Sequence, residues 1–246
     1  MPKELTSQAE EYLEAIFKLE QGEAGASTSG IAEELGIAQA TVSGMLHRLR
    51  EKGLLDYEPY GSISLTEEGR KEAAAVIRRH RLSERLLTDI LGLPWDTAHQ
   101  QACLLEHAIT EEIAQAIETK LGEVRTCPHG NPVDVTAADE SVPLDSLDPG
   151  QCGVVAKVTD ETPEMLNYLA TLGLYPGVHV CVEEKAPFNG PLMVRIKDAV
   201  YALGALVCDK IWVHIAGRRH PRGHPPGKGR GLGRRLRGRG LGRRRQ

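Results

Sequence analysis

Aromatic side chains are scarce in this chain of 246 residues, with two Trp, six Tyr and two Phe, 4% in all. That scarcity argues against a carbohydrate cleft or an aromatic stacking surface and favours cores of aliphatic side chains on helices. Long apolar runs are missing too. No stretch approaches the roughly 18 to 20 residues of a membrane span, and Met1-Pro2-Lys3-Glu4 lacks the apolar core of a signal peptide, so a cytoplasmic location with no membrane partner is expected. The five cysteines, Cys103, Cys127, Cys152, Cys181 and Cys208, include no CxxC pair, a usage that suits reduced thiols better than a disulfide framework. Acidic residues are absent from Gly217 to Gln246, where twelve Lys or Arg stand. The net charge of −4 is therefore the sum of a body at −16, with 18 basic against 34 acidic residues, and an arm at +12. Such a body suits cations and such an arm suits polyanions. With nine Gly and almost nothing apolar, the arm cannot offset its ordering entropy and is expected to be disordered.

Helical periodicity comes first along the chain. Tyr12, Leu13, Ile16, Phe17 and Leu19 predict a helix over 6–21, with Thr6 or Ser7 as cap. Two short amphipathic segments follow at about 30–35 and 40–52, and then Leu54, Leu55, Tyr57, a Pro-Tyr-Gly turn, Ile63 and Leu65 read as a hairpin. Thr66 caps a long helix to about Leu91, and a further helix is expected over about 97–121, ending at Gly122. An irregular linker rich in Asp, Ser and Pro reaches Pro149. Short β-branched runs at 153–158, 178–183, 192–196, 200–203 and 210–215, with one helix capped by Thr162, predict a small five-stranded barrel.

Ala32, Gly36, Val42 and Met45 fall at the offsets that let two short helices cross and pack, Gly36 supplying the turn. This is a helix-turn-helix, and the hairpin makes it winged, so double-stranded DNA is the expected partner. Thr28 and Ser29 open its first helix, while Gln39, Thr41, Ser43, His47 and Arg48 lie on the recognition helix and Tyr60 on the wing. Hydroxyls and Arg48 suit phosphates, whereas Ala38, Ala40 and Gly44 offer little hydrogen-bonding readout, so thymine methyls or DNA shape would set sequence preference.

Cys103, Glu106 and His107 stand at i, i+3 and i+4, positions that share one helical face, so a thiolate, a carboxylate and an imidazole can converge on a divalent cation. A buried Cys beside a solvated Glu–His pair would give the same spacing. Glu11 and Glu14 at i, i+3, His80 and Glu84 at i, i+4, and His99 one turn before Cys103 repeat the pattern on other helices, as multi-helix metal sites require. Glu10, Glu11 and Glu14 alone would read as a solvated acidic face.

The winged helix, then HRLSERLLTDILGL, then Cys103-x-x-Glu106-His107, resembles the diphtheria-toxin-repressor family of metal-dependent bacterial transcriptional regulators over about residues 5–135. SLDPGQCGVV, LGLYPG, PFNGP and ALG within 141–215 resemble the FeoA-type, SH3-like domain of longer members. The resemblance implies a mainly α part followed by a small SH3-like β-barrel. Its divisions are a winged helix-turn-helix over 1–70, a helical metal-binding and dimerisation domain over 71–140, the FeoA-type domain over 141–216 and the Gly/Arg-rich tail over 217–246. It also implies a primary site of Glu11, Cys103, Glu106 and His107, with Glu14 as an addition, and an ancillary site of His80, Glu84, His99, Glu161 and Glu164. Cys127-Pro128-His129 matches a Cys-x-His used by some relatives for the second site, which adds Cys127 and His129 behind these.

Glu11 replaces the Met of the iron-type branch and Cys103 replaces the Glu of the manganese-type branch, so the expected corepressor is Fe(II) or Mn(II), with Zn(II), Co(II) and Ni(II) as substitutes in vitro. The implied protein is a homodimeric repressor of metal-uptake genes on a palindromic operator, paired through Leu82, Leu86, Leu87, Ile109, Ile113 and Ile117. Its metal-free form would hold the first helix loosely, because the acidic cluster repels itself. Two other readings stand beside it. In one, Cys103 with His99 or His107 is the nucleophile and base of a thiol enzyme, or the carboxylates hold a hydrolytic metal, although no oxyanion-type glycine loop or phosphate-binding motif accompanies them. In the other, the chain is an accessory of metal transport that does not bind DNA.

Overall fold

The computed structural model describes residues 5–22, 24–58, 62–188 and 190–216. Tyr60 and the tail from Gly217 onward lie outside them. Helix α1 (Ser7–Glu20) starts where the Thr6 side chain accepts the Ala9 N–H, and it turns Ala9, Tyr12, Leu13, Ala15 and Ile16 inward. Helices α2 (Thr28–Glu34) and α3 (Gln39–Glu51) follow, Ser27 capping the first. Gly36 between them has φ 63°, a left-handed conformation that a Cβ would oppose. Strands β1 (Leu55–Tyr57) and β2 (Ile63–Leu65) pair antiparallel with Leu55 opposite Leu65, which makes the wing. One apolar core, including Leu13, Ile16, Ile31, Val42, Leu46, Leu49 and Leu65, joins α1 to the helix-turn-helix and wing.

Helix α4 (Glu67–Arg85) is capped by Thr66 and passes against the wing at Gly69, where a Cβ would stand 1.8 Å from the Leu54 carbonyl oxygen. It runs on through a π-helical turn, Leu86–Ile90. The single helix expected over 97–121 is two helices. Helix α5 (Trp95–Leu105) stops at Glu106, and α6 (Glu111–Leu121) restarts where Thr110 accepts the Ile113 N–H. A capping residue inside an apolar periodicity ends one helix and begins another, so Cys103 belongs to α5 whereas Glu106 and His107 lie in the turn beyond it. Ala98 and Ala102 are fully buried against Leu87 and let α5 approach α4 closely. The apolar residues expected at a dimer seam divide. Leu82, Leu87 and Ile117 are buried in the chain's own cores beside Ala114, Val133 and Ala98. Leu86 and Ile109 are partly buried against the core of Leu82 and Ile117, and of the expected six only Ile113 is exposed. Ile90, Leu91 and Leu104, not expected at the seam, are exposed as well, Leu104 at 73% and Leu91 at 61%.

The third part is a six-stranded antiparallel sheet rather than a five-stranded one. Its strands are β3 (Val142–Pro143), β4 (Cys152–Val158), β5 (His179–Lys185), β6 (Leu192–Ile196), β7 (Ala199–Leu203) and β8 (Ile211–Ile215), in the order β3-β8-β4-β5-β6-β7. Two residues of β3 are too few to show alternation in a sequence. Bulges at Val155/Lys157 and Val182/Glu184 let the sheet curl over Leu144, Leu147, Leu166 and Leu169. Helix α7 (Pro163–Leu172), capped by Thr162 and ended by Gly173, and a short helix α8 (Ala205–Cys208) close it.

Thiol usage also departs from expectation. Cys152 and Cys181, directly opposite in the β4–β5 register, form a disulfide, while Cys103, Cys127 and Cys208 are free. Strand pairing brings together two residues 29 positions apart, which spacing in the sequence does not reveal.

Candidate metal centre and nucleic-acid interface

Around Glu84 the helices, the linker and the sheet domain meet. Glu84 is fully buried on α4, and its Oε1 lies 3.0 Å from His80 Nε2, 2.9 Å from His99 Nδ1 and 3.2 Å from His129 Nδ1. Glu161, just before α7, adds Oε2 at 3.3 Å from His99 Nδ1 and Oε1 at 3.4 Å from His129 Nδ1. Cys127 Sγ completes this side, 3.8 Å from His129 Nδ1 and 3.9 Å from Glu161 Oε1. The linker is seated by its backbone. The Val158 N–H donates to the His129 carbonyl at 2.9 Å, Asn131 donates to the Val158 carbonyl at 2.9 Å and to Glu161 at 2.7 Å, and a Cβ at Gly130 would stand 2.0 Å from the Ala156 oxygen.

A second side opens toward α1. His80 Nδ1 faces Glu106 Oε2 at 2.5 Å, so this one imidazole touches both carboxylates. His107 lies 3.3 Å from Glu106 through Nε2 and 2.7 Å from Glu10 through Nδ1. Glu10 is held by Arg79 at 2.7 Å as well. Glu11 points outward, its side chain 53% exposed and 3.9 Å from His107 Nε2. Glu14 is mostly buried and pairs with Lys18 at 3.0 Å. Cys103 is exposed, with Sγ 4.0 Å from His99 Nε2.

Protons hold this cluster together. Burial opposes charging His80, but Cys103, Glu106 and Glu84 outweigh it and raise the imidazole well above its ordinary value. Burial likewise opposes charge on His99, yet Cys103 and Glu84 lift it to about 9, and His129 is raised by Cys127, Glu161 and Glu84. Glu84 is driven well below the carboxylate range, the three imidazoles overcoming its burial. Desolvation resists ionising Cys103, but His80 and His99 bring its thiol to about 7, whereas burial and the charge of Glu84 push Cys127 up to about 11.

Three overlapping donor groups result, their ligand atoms within 4.8 Å of one another: His80, His99 and Cys103; His80, Glu84, His99 and Glu161; and Glu84, Cys127, His129 and Glu161. Glu84 Oε2 is buried and has no hydrogen-bond partner among the described residues. Imidazole nitrogens converging on one carboxylate, with thiols at both ends and a free carboxylate oxygen, fit a first-row divalent cation, which would take the place of the histidine protons. Of the ligands expected from sequence, Glu11, Glu14, Glu106, His107 and Glu164 belong to none of these groups, so the expected primary site is not gathered into one, and Glu164 is exposed. Glu10 and Arg79 were not foreseen as partners of the site. The i, i+4 spacing of Glu10 and Glu14 was the available signal for the first, and nothing marked Arg79.

On the winged helix, Gln39, Thr41, His47 and Arg48 are exposed along α3, and Ser43 is half-buried. Gln39 donates to Thr28 Oγ1 at 3.1 Å, and Ser29 is exposed with its hydroxyl 3.1 Å from that of Ser27. His47 leans edge-on against Tyr57 of the wing, ring centres 5.2 Å apart, which ties the recognition helix to the hairpin. Gly44 opens a shallow cavity between α1 and α3, lined by Gln8, Tyr12, Thr41, Met45 and Arg48.

Fold and site define a winged-helix protein with a buried cluster of metal-type donors behind its first helix. Three family models match in series: the iron dependent repressor N-terminal DNA binding domain over residues 4–63, its metal binding and dimerisation domain over 66–134, and the FeoA domain over 142–215. The iron-dependent repressor IdeR of Mycobacterium tuberculosis (strain H37Rv) is 34% identical over 196 residues, covering 73% of this chain and 85% of that one. The diphtheria toxin repressor of Corynebacterium diphtheriae is 38% identical over 131 residues, 53% of this chain and 58% of the other. A solved manganese-dependent transcriptional repressor in complex with manganese superposes with a TM-score of 0.78 at 33% identity, over 83% of this chain and 98% of that one. The chain belongs to the iron-dependent repressor family, and its kinship is with transcriptional repressors, not enzymes.

Proposed function

We propose that this protein is a cytoplasmic, homodimeric repressor of metal-homeostasis genes whose corepressor is Fe(II) or Mn(II). The observation that carries this reading is the convergence of three imidazoles on Glu84, one of whose oxygens lacks any hydrogen-bond partner among the described residues, directly behind the helix that packs into the winged-helix core. The closed centre is Glu84, Cys127, His129 and Glu161 with His80 and His99. The open centre is Glu106 and His107, completed by carboxylates of α1, with Glu10, Glu11 and Glu14 the ones in reach, and Cys103, nearest His99 and grouped with His80 and His99, stands between the two centres. Thiolates and imidazoles favour Fe(II), Co(II), Ni(II) or Zn(II), and the many carboxylates admit Mn(II).

The chain's own residues explain how such a site reaches DNA. One face of α1 is locked by Tyr12, Leu13 and Ile16 into the core shared with α3, so α1 and the recognition helix move together. The opposite face carries Glu10 and Glu14 toward His107, Glu106 and His80. Arg79 beside Glu10, and Lys18 and His80 facing Glu14, partly neutralise these carboxylates, so the metal-free α1 is held rather than repelled. A bound divalent cation supplies further positive charge at this junction. Whatever fixes α1 there fixes the winged helix, and the orientation competent for a twofold operator gains population. Leu104, Leu91, Ile90 and Ile113 are the exposed apolar side chains available for pairing two copies.

The test is an anaerobic titration of wild type and Cys103→Ser with Fe(II), Mn(II) and Zn(II), read by metal affinity and by binding to palindromic operator DNA. Tight DNA binding only with metal, weakened in the variant, is expected. DNA binding indifferent to metal would remove the corepressor role, and a variant with a normal response would remove Cys103 from the site.

A further inference from the structure

The metal centres use Cys103 and Cys127, and Cys208 is buried beneath the sheet, but Cys152 and Cys181 belong to none of this chemistry. Their Cα atoms lie 4.0 Å apart across β4 and β5. In β4, Gly153 and Val155 face the core, and in β5, Val180 and Val182 do. Alternation along a strand therefore puts Cys152 and Cys181 on the outer face, and both are half-buried. Arg195 on β6 stands directly opposite Cys181 on the side away from Cys152. A surface cavity of about 300 Å³ adjoins Cys181, lined by Val178, His179, Arg195 and Lys197. Arg195 is tied to Glu183 at 2.8 Å, whereas Lys197 makes no ion pair among the described residues.

We propose that Cys152–Cys181 is a reversible thiol–disulfide exchange site, and that the cavity beside Cys181 admits an anionic low-molecular-weight thiol. Exposed disulfides are the more labile and regulatory ones; this one sits on the outer sheet face beside cationic side chains, the setting in which thiolates form and react. Such a small thiol, as its thiolate, attacks Cys181 Sγ from the cavity. The protein Sγ–Sγ bond breaks and Cys152 leaves as a thiolate. A second small thiolate attacks the mixed disulfide and releases Cys181. The two protons of the small thiols pass to Cys152 and Cys181, so the protein gains a dithiol and the small thiols become one disulfide. The same steps in reverse oxidise the protein with the small disulfide as oxidant. A repressor of this family would thereby carry a redox-reading bond on a domain separate from its winged helix.

The experiment equilibrates the full chain with glutathione and oxidised glutathione at graded ratios, quenches with acid and alkylating agent, and maps the cysteines by mass spectrometry. Cys152 and Cys181 should pass together from disulfide to free thiols across the series while Cys208 stays reduced. In Cys152→Ser, Cys181 should accumulate as its glutathionyl adduct. Lys197→Gln should slow reduction by glutathione several-fold and leave reduction by uncharged 2-mercaptoethanol unchanged. A bond that never forms, or never opens, while the chain remains folded would overturn the exchange site. Equal effects of Lys197→Gln on both reductants, or none, would overturn the anionic specificity.

Discussion

The closed and open halves of the proposed metal centre use the same residue types in different physical settings. Around Glu84, the donors Glu84, Cys127 and His129 are fully buried, and the linker that carries the last two is seated by backbone contacts from β4, so their arrangement precedes any ligand. Around His107, Glu11 points outward and the carboxylates arrive from a helix that belongs to another core, while Cys103, exposed beside His99, lies at the edge between the halves. A preformed half can hold an ion without moving anything, whereas a half completed from α1 makes binding and helix position one event. On the proposed function, the difference would give stability to the closed half and signalling to the open one.

The largest expected effect tests the preformed character directly. Glu84→Ala leaves three imidazoles without their shared carboxylate in a buried site. Removing one partner of a buried charged cluster costs about 3–5 kcal/mol, and loss on this scale is expected in the metal-free denaturation midpoint. A metal-free protein as stable as wild type would mean that the cluster is not organised before metal arrives.

Next come Glu10→Gln and Glu11→Gln, which separate adjacent residues. Glu10 accepts from Arg79 and contacts His107, both at 2.7 Å. Hydrogen bonds to charged groups are worth about 1.5–3 kcal/mol, so Glu10→Gln should destabilise by that order. Glu11→Gln, at a half-exposed position without a close partner, should stay within about 0.5 kcal/mol of wild type without metal. Should Glu11→Gln alone abolish the metal response of DNA binding, α1 must turn when the ion binds, and the open half would be shown to move.

Much of this was legible in the sequence because local rules write directly into it. Thr6, Thr66 and Thr162 announced three helix starts, Gly36 the turn, and the β-branched runs five of the six strands. The ligand types were legible too, since i, i+4 spacing puts His80 beside Glu84. What escaped was set by tertiary geometry. The rotation of α1 chooses Glu10 over Glu11, and no spacing rule fixes rotation when three glutamates crowd two turns. The capping Thr110 was masked by apolar periodicity on both sides, so a turn was read as helix. Cys152 and Cys181 pair through strand register, a contact between distant segments that composition cannot encode. Cys127 and His129 were candidates from their Cys-x-His pattern, and what the pattern could not show is that Gly130 lies flat on β4 and so brings them to Glu84.

Cys103→Ser probes the edge between the halves with little structural cost. Serine keeps a hydroxyl beside His80 and His99 but removes the thiolate that pairs with them, so a loss of about 1 kcal/mol or less is expected without metal, as for other solvent-reached pairs. Metal affinity read through DNA binding should nonetheless fall on the order of 10–100-fold, the scale of losing a group that tunes a metal site. A large loss of stability with an unchanged metal response would reverse the assignment of the two halves.

The smallest effect concerns how the closed half is kept in place. Asp139, in the linker, meets Lys157 of β4 at 2.7 Å. Desolvation opposes its charge, but Lys157 and Ser141 hold the carboxyl at about 2. Because the folded value is depressed, the contribution to stability is fully present above about pH 4 and disappears as pH falls through 2. Asp139→Asn should therefore lower stability by about 1 kcal/mol or less at neutral pH, as for other solvent-reached pairs, and the gap should close as the pH falls below 4. Metal affinity at the closed half should not change, because His129, Gly130 and Asn131 are fastened to β4 through Val158 and Ala156 independently of Asp139. A fall in affinity in Asp139→Asn would mean that the linker is positioned as a whole by its surface charges, and that the closed half is less preformed than its burial indicates.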